Sequence, residues 1–220
     1  MSTFSVVIPS FNGKEFLRKT LLALKKSNLQ PLRCIAVDDF SSDGTFEMLK
    51  RDFPEVATIR NEKNLGPTAS RNRGAEQAKG KYLIFLDNDV LAEPDAIEKL
   101  IEFSEYHQNV GVVGGKLLND KGEATLWNKG RIKIIGTEWV RESFFLVPLD
   151  IFKKVGGFDE RFFMFFEGPD LSERLMRLGY KTYFCDAAKA VILENHTHSR
   201  LWRKVMFNLS WSRFHLKHLF

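Results

Sequence analysis

The segment Tyr82-Leu83-Ile84-Phe85-Leu86 runs without interruption into Asp87-Asn88-Asp89. A short, unbroken apolar segment predicts a strand buried on both faces, as in a parallel sheet. In open α/β sheets ligands bind in the crevice at the carboxyl ends of the strands, which is where the acidic triplet falls. Two carboxylates flanking one small residue cannot share a dry site without a cation between them. Hard divalent ions such as Mg²⁺ are usually held by one or two carboxylates together with substrate phosphates. The run therefore predicts a metal-dependent site for a diphosphate-bearing substrate. Ordinary Asx turns use such triplets too, so the position after a buried strand carries the reading.

The flanking sequence repeats the same logic. Strands are predicted at Phe4–Pro9, Arg33–Asp38, Val56–Arg60 and Lys81–Leu86, with helices at Lys14–Lys26, Gly44–Asp52, Thr68–Lys79 and Pro94–His107 between and after them. This β-α-β-α rhythm predicts a largely parallel, doubly wound sheet. After Val110–Gly115 the rhythm breaks, and 116–148 reads as irregular or hairpin structure with short strands near Arg131–Ile135 and Phe144–Pro148. Helices at Leu149–Val155 and Pro169–Leu178 and a strand at Lys181–Cys185 follow, with a loop through Phe166.

At 220 residues and 44% hydrophobic content the chain fits one large domain. A formal charge of +5 admits nucleic acid, anionic lipid or a phosphorylated substrate. The basic residues are scattered and form no nucleic-acid motif, so no nucleic-acid partner is expected. Cys34 and Cys185 lie far apart, each within an apparent strand, as reduced buried thiols of a cytoplasmic protein would. No secretory signal precedes the first strand, and no apolar stretch reaches the roughly 18 residues of a membrane span. The absence of GxGxxG and GxxxxGK[ST] argues against dinucleotide-dependent dehydrogenases and P-loop NTPases.

Four further strand-end or helix-start segments carry chemistry. Val6-Val7-Ile8-Pro9-Ser10-Phe11-Asn12 ends the first strand, and Val37-Asp38-Asp39-Phe40-Ser41-Ser42-Asp43-Gly44-Thr45 sets two carboxylates at the end of the second. One of these can accept from a base N–H or a ribose hydroxyl, while Asp43 caps the next helix. Asn64-Leu65-Gly66-Pro67-Thr68-Ala69-Ser70-Arg71-Asn72-Arg73-Gly74 places arginines on the first turns of a helix, where a cation suits a diphosphate. The last begins at Val155-Gly156-Gly157-Phe158-Asp159-Glu160-Arg161-Phe162 and runs through Glu167 to Asp170-Leu171 and Arg174. With the Asp-Asn-Asp triplet, these ordered segments resemble the family 2 glycosyltransferases of the GT-A fold over about residues 4–198, and most closely the branch that builds surface polysaccharides, with rhamnosyltransferase-like members.

The resemblance implies a Rossmann-like, doubly wound, mostly parallel sheet. Residues 1–115 would be its nucleotide-sugar-binding half, 116–198 its acceptor-side half and 199–220 a basic amphipathic terminal helix. It implies inverting transfer of a sugar from a UDP-, dTDP- or GDP-linked donor to a glycan or lipid-linked acceptor, with Mg²⁺ or Mn²⁺. Asp39 would hold the base in a pocket lined by Pro9, Ser10 and Phe11. Gly66, Arg71, Asp87 and Asn88 would adjoin the donor, and Asp87 and Asp89 would form the metal-diphosphate site, completed by His196 or by His198. Relatives carry Glu-Asp where this chain reads Glu167-Gly168, and the aspartate of that pair is usually the base. Three readings follow. Glu167 acts from the neighbouring position, Asp170 does so, or the acceptor is an anion such as a polyprenyl phosphate that needs no base. A catalytically impaired nucleotide-sugar-binding domain is the alternative. A sugar-phosphate nucleotidyltransferase should carry a glycine-rich segment with Arg and Lys after the first strand, where this chain has Ser10-Phe11-Asn12-Gly13.

Ser199–Phe220 has a helical pattern in which Leu201, Trp202, Val205, Met206, Leu209, Leu216 and Phe220 share a face, with Arg200, Arg203, Lys204, His215 and Lys217 largely elsewhere. This predicts a helix packed in part on the domain and resting on an anionic membrane surface, placing the protein in the cytoplasm or on the inner face of the membrane. No helix stop signal precedes Leu219-Phe220, as in a chain cut from a longer protein.

Overall fold

The structure, a computed structural model, describes residues 3–124, 132–134, 137–193 and 200–218. Its main sheet has eight strands. In chain order these are β1 (Phe4–Ser10), β2 (Arg33–Asp38), β3 (Ala57–Arg60), β4 (Tyr82–Leu86), β5 (Val90–Ala92), β6 (Val110–Leu118), β9 (Phe144–Pro148) and β10 (Lys181–Ile192), while β7 (Ile132–Ile134) and β8 (Thr137–Trp139) form a separate pair. The sheet order is β3-β2-β1-β4-β9-β6-β10-β5. Helices α1 (Lys14–Leu24), α2 (Thr45–Asp52), α3 (Gly66–Glu76), α4 (Ala96–Tyr106), α5 (Leu149–Lys154), α6 (Glu167–Arg177) and α7 (Arg200–His218) complete the described chain.

The unbroken apolar strands feed two cores, one on each face. Along β4, Tyr82, Ile84 and Leu86 join a cluster with Leu17, Leu21 and Leu100, while Leu83 and Phe85 join another with Ala75, Phe152 and Leu171. β1 divides in the same way, Val6 and Ile8 to one side and Val7 to the other. Successive side chains of a strand point to opposite faces, so a strand covered on both sides must be apolar throughout. On the second face α3 lies so close to β1 that a Cβ at Gly74 would overlap the Val7 side chain.

β9 enters antiparallel between β4 and β6 and interrupts the otherwise parallel run. Its approach therefore stands at the carboxyl end of β4, where the Asp87 N–H donates to the Ser143 carbonyl at 2.9 Å. The sequence reading passed over β5, because Val90-Leu91-Ala92 follows the acidic triplet with no turn signal of its own. It pairs antiparallel with Ala190–Ile192. β10 also outruns the expected Lys181–Cys185. An irregularity between Cys185 and Lys189 breaks the apolar alternation and hides the second half of the strand.

α7 packs by a different face from the one its periodicity singled out. Leu201, Leu209 and Leu216 are exposed by 74%, 58% and 70%, and Val205 is exposed as well, whereas Phe214 is buried against Phe162 and Phe166. Phe207 and Trp211 meet Phe166 edge-on at 5.1 and 5.3 Å, and Ser210 Oγ donates to the Met164 carbonyl at 2.7 Å. Two apolar faces compete on this helix, and aromatic partners in the preceding loop decide between them. Those partners are constrained: Phe165 and Phe166 have φ of 67° and 66°, a left-handed conformation that costs about 1–3 kcal/mol per bulky residue unless packing enforces it. Phe214→Ala should remove about 3–5 kcal/mol of packing at this seam, more than a single peripheral helix is expected to spare. Limited proteolysis should then cleave α7 while the rest of the domain resists, and wild-type resistance of α7 in the variant would refute this anchoring.

Candidate active site

At the carboxyl end of β4 a buried guanidinium gathers three acidic residues. Arg71, on α3, is 3% exposed and donates from Nη2 to Asp87 Oδ1 at 2.7 Å and from Nη1 to Glu167 Oε1 at 2.8 Å. Nη2 also lies 3.4 Å from the Glu142 carbonyl. Burial alone would pull the Arg71 pKa down, but the charges of Asp87 and Glu167 hold it above its ordinary value. Arg71 thus stands beneath the carboxylates and spends its terminal nitrogens on them.

Glu167, 4% exposed, opens α6 directly after the left-handed Phe166. Burial raises its carboxyl above the usual glutamate range, opposed by Arg71. Its Oε2 is buried and has no hydrogen-bond partner among the described residues. Beside it lies a carboxylate the sequence reading did not single out. A Cβ at Gly168 would fall inside the Glu142 carboxylate, so the missing side chain at 168 is the space in which Glu142 sits. Glu142 Oε1 is also buried without a partner among the described residues. Burial first, and the charge of Glu167 second, push the Glu142 carboxyl up to about 8. The signal was an acidic residue just before the apolar run Phe144–Pro148, and it has meaning only once β9 is known to run antiparallel beside β4.

The remaining expected residues fall on both sides of this centre. Asp87 and Asp89 are half-buried, with the Asp87 side chain 26% exposed. Asn88 is pinned from two directions: its Nδ2 donates to Ser10 Oγ at 2.9 Å, and its carbonyl accepts from Thr20 Oγ1 at 2.8 Å. The triplet is therefore fixed to the end of β1, where Pro9 and Ser10 are buried and Phe11 is half-buried. The Leu193 N–H donates to the Asp89 carbonyl at 2.7 Å, tying the end of β10 to the same turn. His196 and His198 lie outside the described residues.

Asp39 is buried and holds the start of α3. Its Oδ1 accepts from Asn61 Nδ2 at 2.6 Å and from the Leu65 N–H at 2.8 Å, and its Oδ2 accepts from the Gly66 N–H at 2.8 Å. Gly66 is required there, since its φ is 87° and a Cβ would lie 2.6 Å from the Phe163 carbonyl oxygen. Asp170 is buried between side chains of two helices: Arg174 Nε donates to Oδ2 at 2.8 Å, while Lys217 Nζ and His218 Nε2 lie 2.5 and 2.8 Å from Oδ1. Arg174 also donates to the Val155 and Gly157 carbonyls, at 2.8 Å each. Asp170 therefore ties α6 to α7, with both oxygens engaged.

The sequence model of Glycosyl transferase family 2 matches residues 5–170, a span holding every element of this site described above except the end of β10 and the cations around Asp170. The chain belongs to that family. Among its relatives, the glycosyltransferase YfnE of Bacillus subtilis is 39% identical over 114 residues, 50% of this chain and 29% of YfnE. The N-acetylglucosaminyl-diphospho-decaprenol L-rhamnosyltransferase of Mycobacterium tuberculosis is 24% identical over 236 residues, covering 88% of this chain and 76% of that protein. Several curated relatives that this family 2 chain matches are covered over less than half their length, YfnE among them. The fold is that of the GT-A glycosyltransferases. The mannosyltransferase PcManGT of Pyrobaculum calidifontis, solved with GDP-Man and Mn²⁺, superposes with a TM-score of 0.71 at 15% identity, over 90% of this chain and 59% of that one.

The raised Glu142 carboxyl has a consequence for stability. The unfolded chain releases that proton near the ordinary glutamate pKa, while the folded chain keeps it up to about pH 8. Between these values the folded state binds more protons, so its stability falls as pH rises from about 5 to about 8. Glu142→Gln should flatten this fall in urea midpoints measured across the interval. An unchanged slope would return the carboxyl to the ordinary range.

Proposed function

We propose that this family 2 chain transfers a sugar from a nucleotide diphosphate sugar to a glycan or lipid-linked acceptor with inversion at the anomeric carbon. The observation that carries the reading is the convergence at the end of β4, where the half-buried Asp87 and Asp89 follow the strand and Asp87 shares the buried Arg71 with Glu167. These two half-buried carboxylates form the hard oxygen donor set that suits Mg²⁺ or Mn²⁺ shared with phosphates and water, with His196 as the further ligand the family resemblance implies. Such an ion, when bound, would neutralise the departing diphosphate. Arg71 orders the carboxylates, Asn88 locks the triplet to β1, and Asp39 with Pro9, Ser10 and Phe11 frames the base pocket. A fold neighbour, the mannosyltransferase PcManGT, is solved with GDP-Man and Mn²⁺, which supports a nucleotide-sugar donor and a divalent ion here.

Two features support a lipid-linked acceptor at the inner face of the membrane. The Mycobacterium tuberculosis relative is named for a diphospho-decaprenol substrate. The outer face of α7 presents Leu201, Leu209 and Leu216 among the exposed basic residues Arg203, Lys204 and Arg213, beside a groove of about 620 Å³ against Arg161 and Phe163. No described helix is long and apolar enough to cross a membrane, so contact through α7 would be peripheral.

The test is release of nucleotide diphosphate from UDP-, dTDP- and GDP-sugars with Mg²⁺ or Mn²⁺. Asp89→Ala should abolish turnover, because the diphosphate cannot replace the lost carboxylate. Full activity of the variant, or of the wild type in EDTA, would overturn the metal assignment.

Asp39→Asn should weaken nucleotide binding by about 1–3 kcal/mol, the scale of a hydrogen bond to a charged group. It should also lower the thermal midpoint, because the Leu65 and Gly66 amides lose a charged acceptor. Calorimetry showing wild-type nucleotide affinity alongside a lowered midpoint would leave Asp39 with the helix start alone.

A further inference from the structure

We propose that Glu142 is the group that takes the proton of the acceptor hydroxyl, seated in the site by the absence of a side chain at Gly168. The inference rests on the sugar-transfer reading and names a catalytic residue for it.

Placement comes first. Glu142 precedes β9, and β9 runs antiparallel to β4, so residue 142 arrives at the end of the sheet where Asp87 stands. The neighbouring Ser143 carbonyl accepts from the Asp87 N–H at 2.9 Å, and the Glu142 carbonyl lies 3.4 Å from Arg71 Nη2. Its carboxylate occupies the first turn of α6, in the volume that a side chain at 168 would claim.

Charge comes second. Arg71 from α3, Asp87 from β4, Glu167 from α6 and Glu142 ahead of β9 bring three carboxylates to one guanidinium. The guanidinium is committed to Asp87 Oδ1 and Glu167 Oε1, at 2.7 and 2.8 Å. Glu142 Oε1 is buried and without a hydrogen-bond partner among the described residues, so of the three carboxylates it is the one the guanidinium does not bind. A carboxylate so placed binds a proton more tightly than an exposed one would, and it is the ionised form of Glu142 that serves as the base.

The step balances. The acceptor oxygen forms a bond to the anomeric carbon, and the bond from that carbon to the diphosphate oxygen breaks, its electron pair leaving with the nucleotide diphosphate. The acceptor O–H bond breaks with its pair retained on oxygen, and the proton passes to a Glu142 carboxylate oxygen.

Three variants test the assignment: Glu142→Gln, Glu142→Ala, and Glu142→Ala combined with Gly168→Asp. Glu142→Gln should lose about 100-fold or more in kcat on a hydroxyl acceptor, while calorimetric affinity for the donor nucleotide stays within roughly twofold. The double variant moves a carboxylate from 142 to 168 within the same volume and should recover at least about tenfold over Glu142→Ala, which a purely structural role for Glu142 would not produce. Wild-type kcat in Glu142→Gln overturns the assignment alone, as does a folded double variant that recovers nothing. Should Glu142→Gln fail to fold, the comparison of the double variant with Glu142→Ala still decides. A wild-type chain that releases no nucleotide diphosphate from any donor overturns the sugar-transfer reading itself, and this assignment with it.

Discussion

A single buried guanidinium organises the site. Arg71 bonds to Asp87 at the end of β4 and to Glu167 at the start of α6, and so joins the early strand–helix part of the chain to the first turn of α6. An isolated charge at this depth would cost several kcal/mol of desolvation, and so would each carboxylate. Together they are compensated in part, one positive against two negative charges, and removing Arg71 would leave both carboxylates stranded. Glu142 then adds a third carboxyl, which burial first and the Glu167 charge second push up to about 8. An environment that holds protons above their ordinary range is the physical basis for acid–base work at neutral pH.

The terminal helix belongs to the same mechanical unit. Phe214, Trp211 and Phe207 clamp the loop that carries the left-handed Phe165 and Phe166, and Glu167 follows immediately. In the same first turn of α6, Asp170 binds Lys217 and His218 from the end of α7. The orientation of the first turn of α6, and hence of Glu167 and of the space at Gly168, thus depends on a helix far away in sequence. Many of the chain's 20 phenylalanines serve these contacts. Aromatic rings fill the seam between α6 and α7 and the core behind Phe85, where Phe145, Phe152 and Phe158 pack within 5.3 Å of its ring centroid.

Much of this was legible in the sequence because it is local. β4 could be read from five apolar residues, since a strand buried on both faces has no polar position. The two-core packing of Tyr82–Leu86 is the three-dimensional form of that pattern. β1, β2, α1 and α5 likewise follow from patterns spanning fewer than a dozen residues. The misses were the elements whose partners are remote. β5 is a strand only because Ala190–Ile192 lies alongside it. The buried face of α7 is chosen by Phe162 and Phe166, which no periodicity within α7 can reveal.

For the site, the chain by itself determined the acidic triplet at a strand end, the arginine on the preceding crossover helix and the glycine at 168, since each is a residue type at a position fixed by short-range patterning. Only the tertiary structure decided what those groups do to one another. It set Arg71 beneath Asp87 and Glu167, gave Asp170 to Lys217 and His218 of α7, and filled the space at Gly168 with Glu142. The reason is physical: electrostatic and steric couplings act over a few ångströms between atoms, and Glu142 comes within that range of the first turn of α6 only after β9 threads antiparallel between β4 and β6.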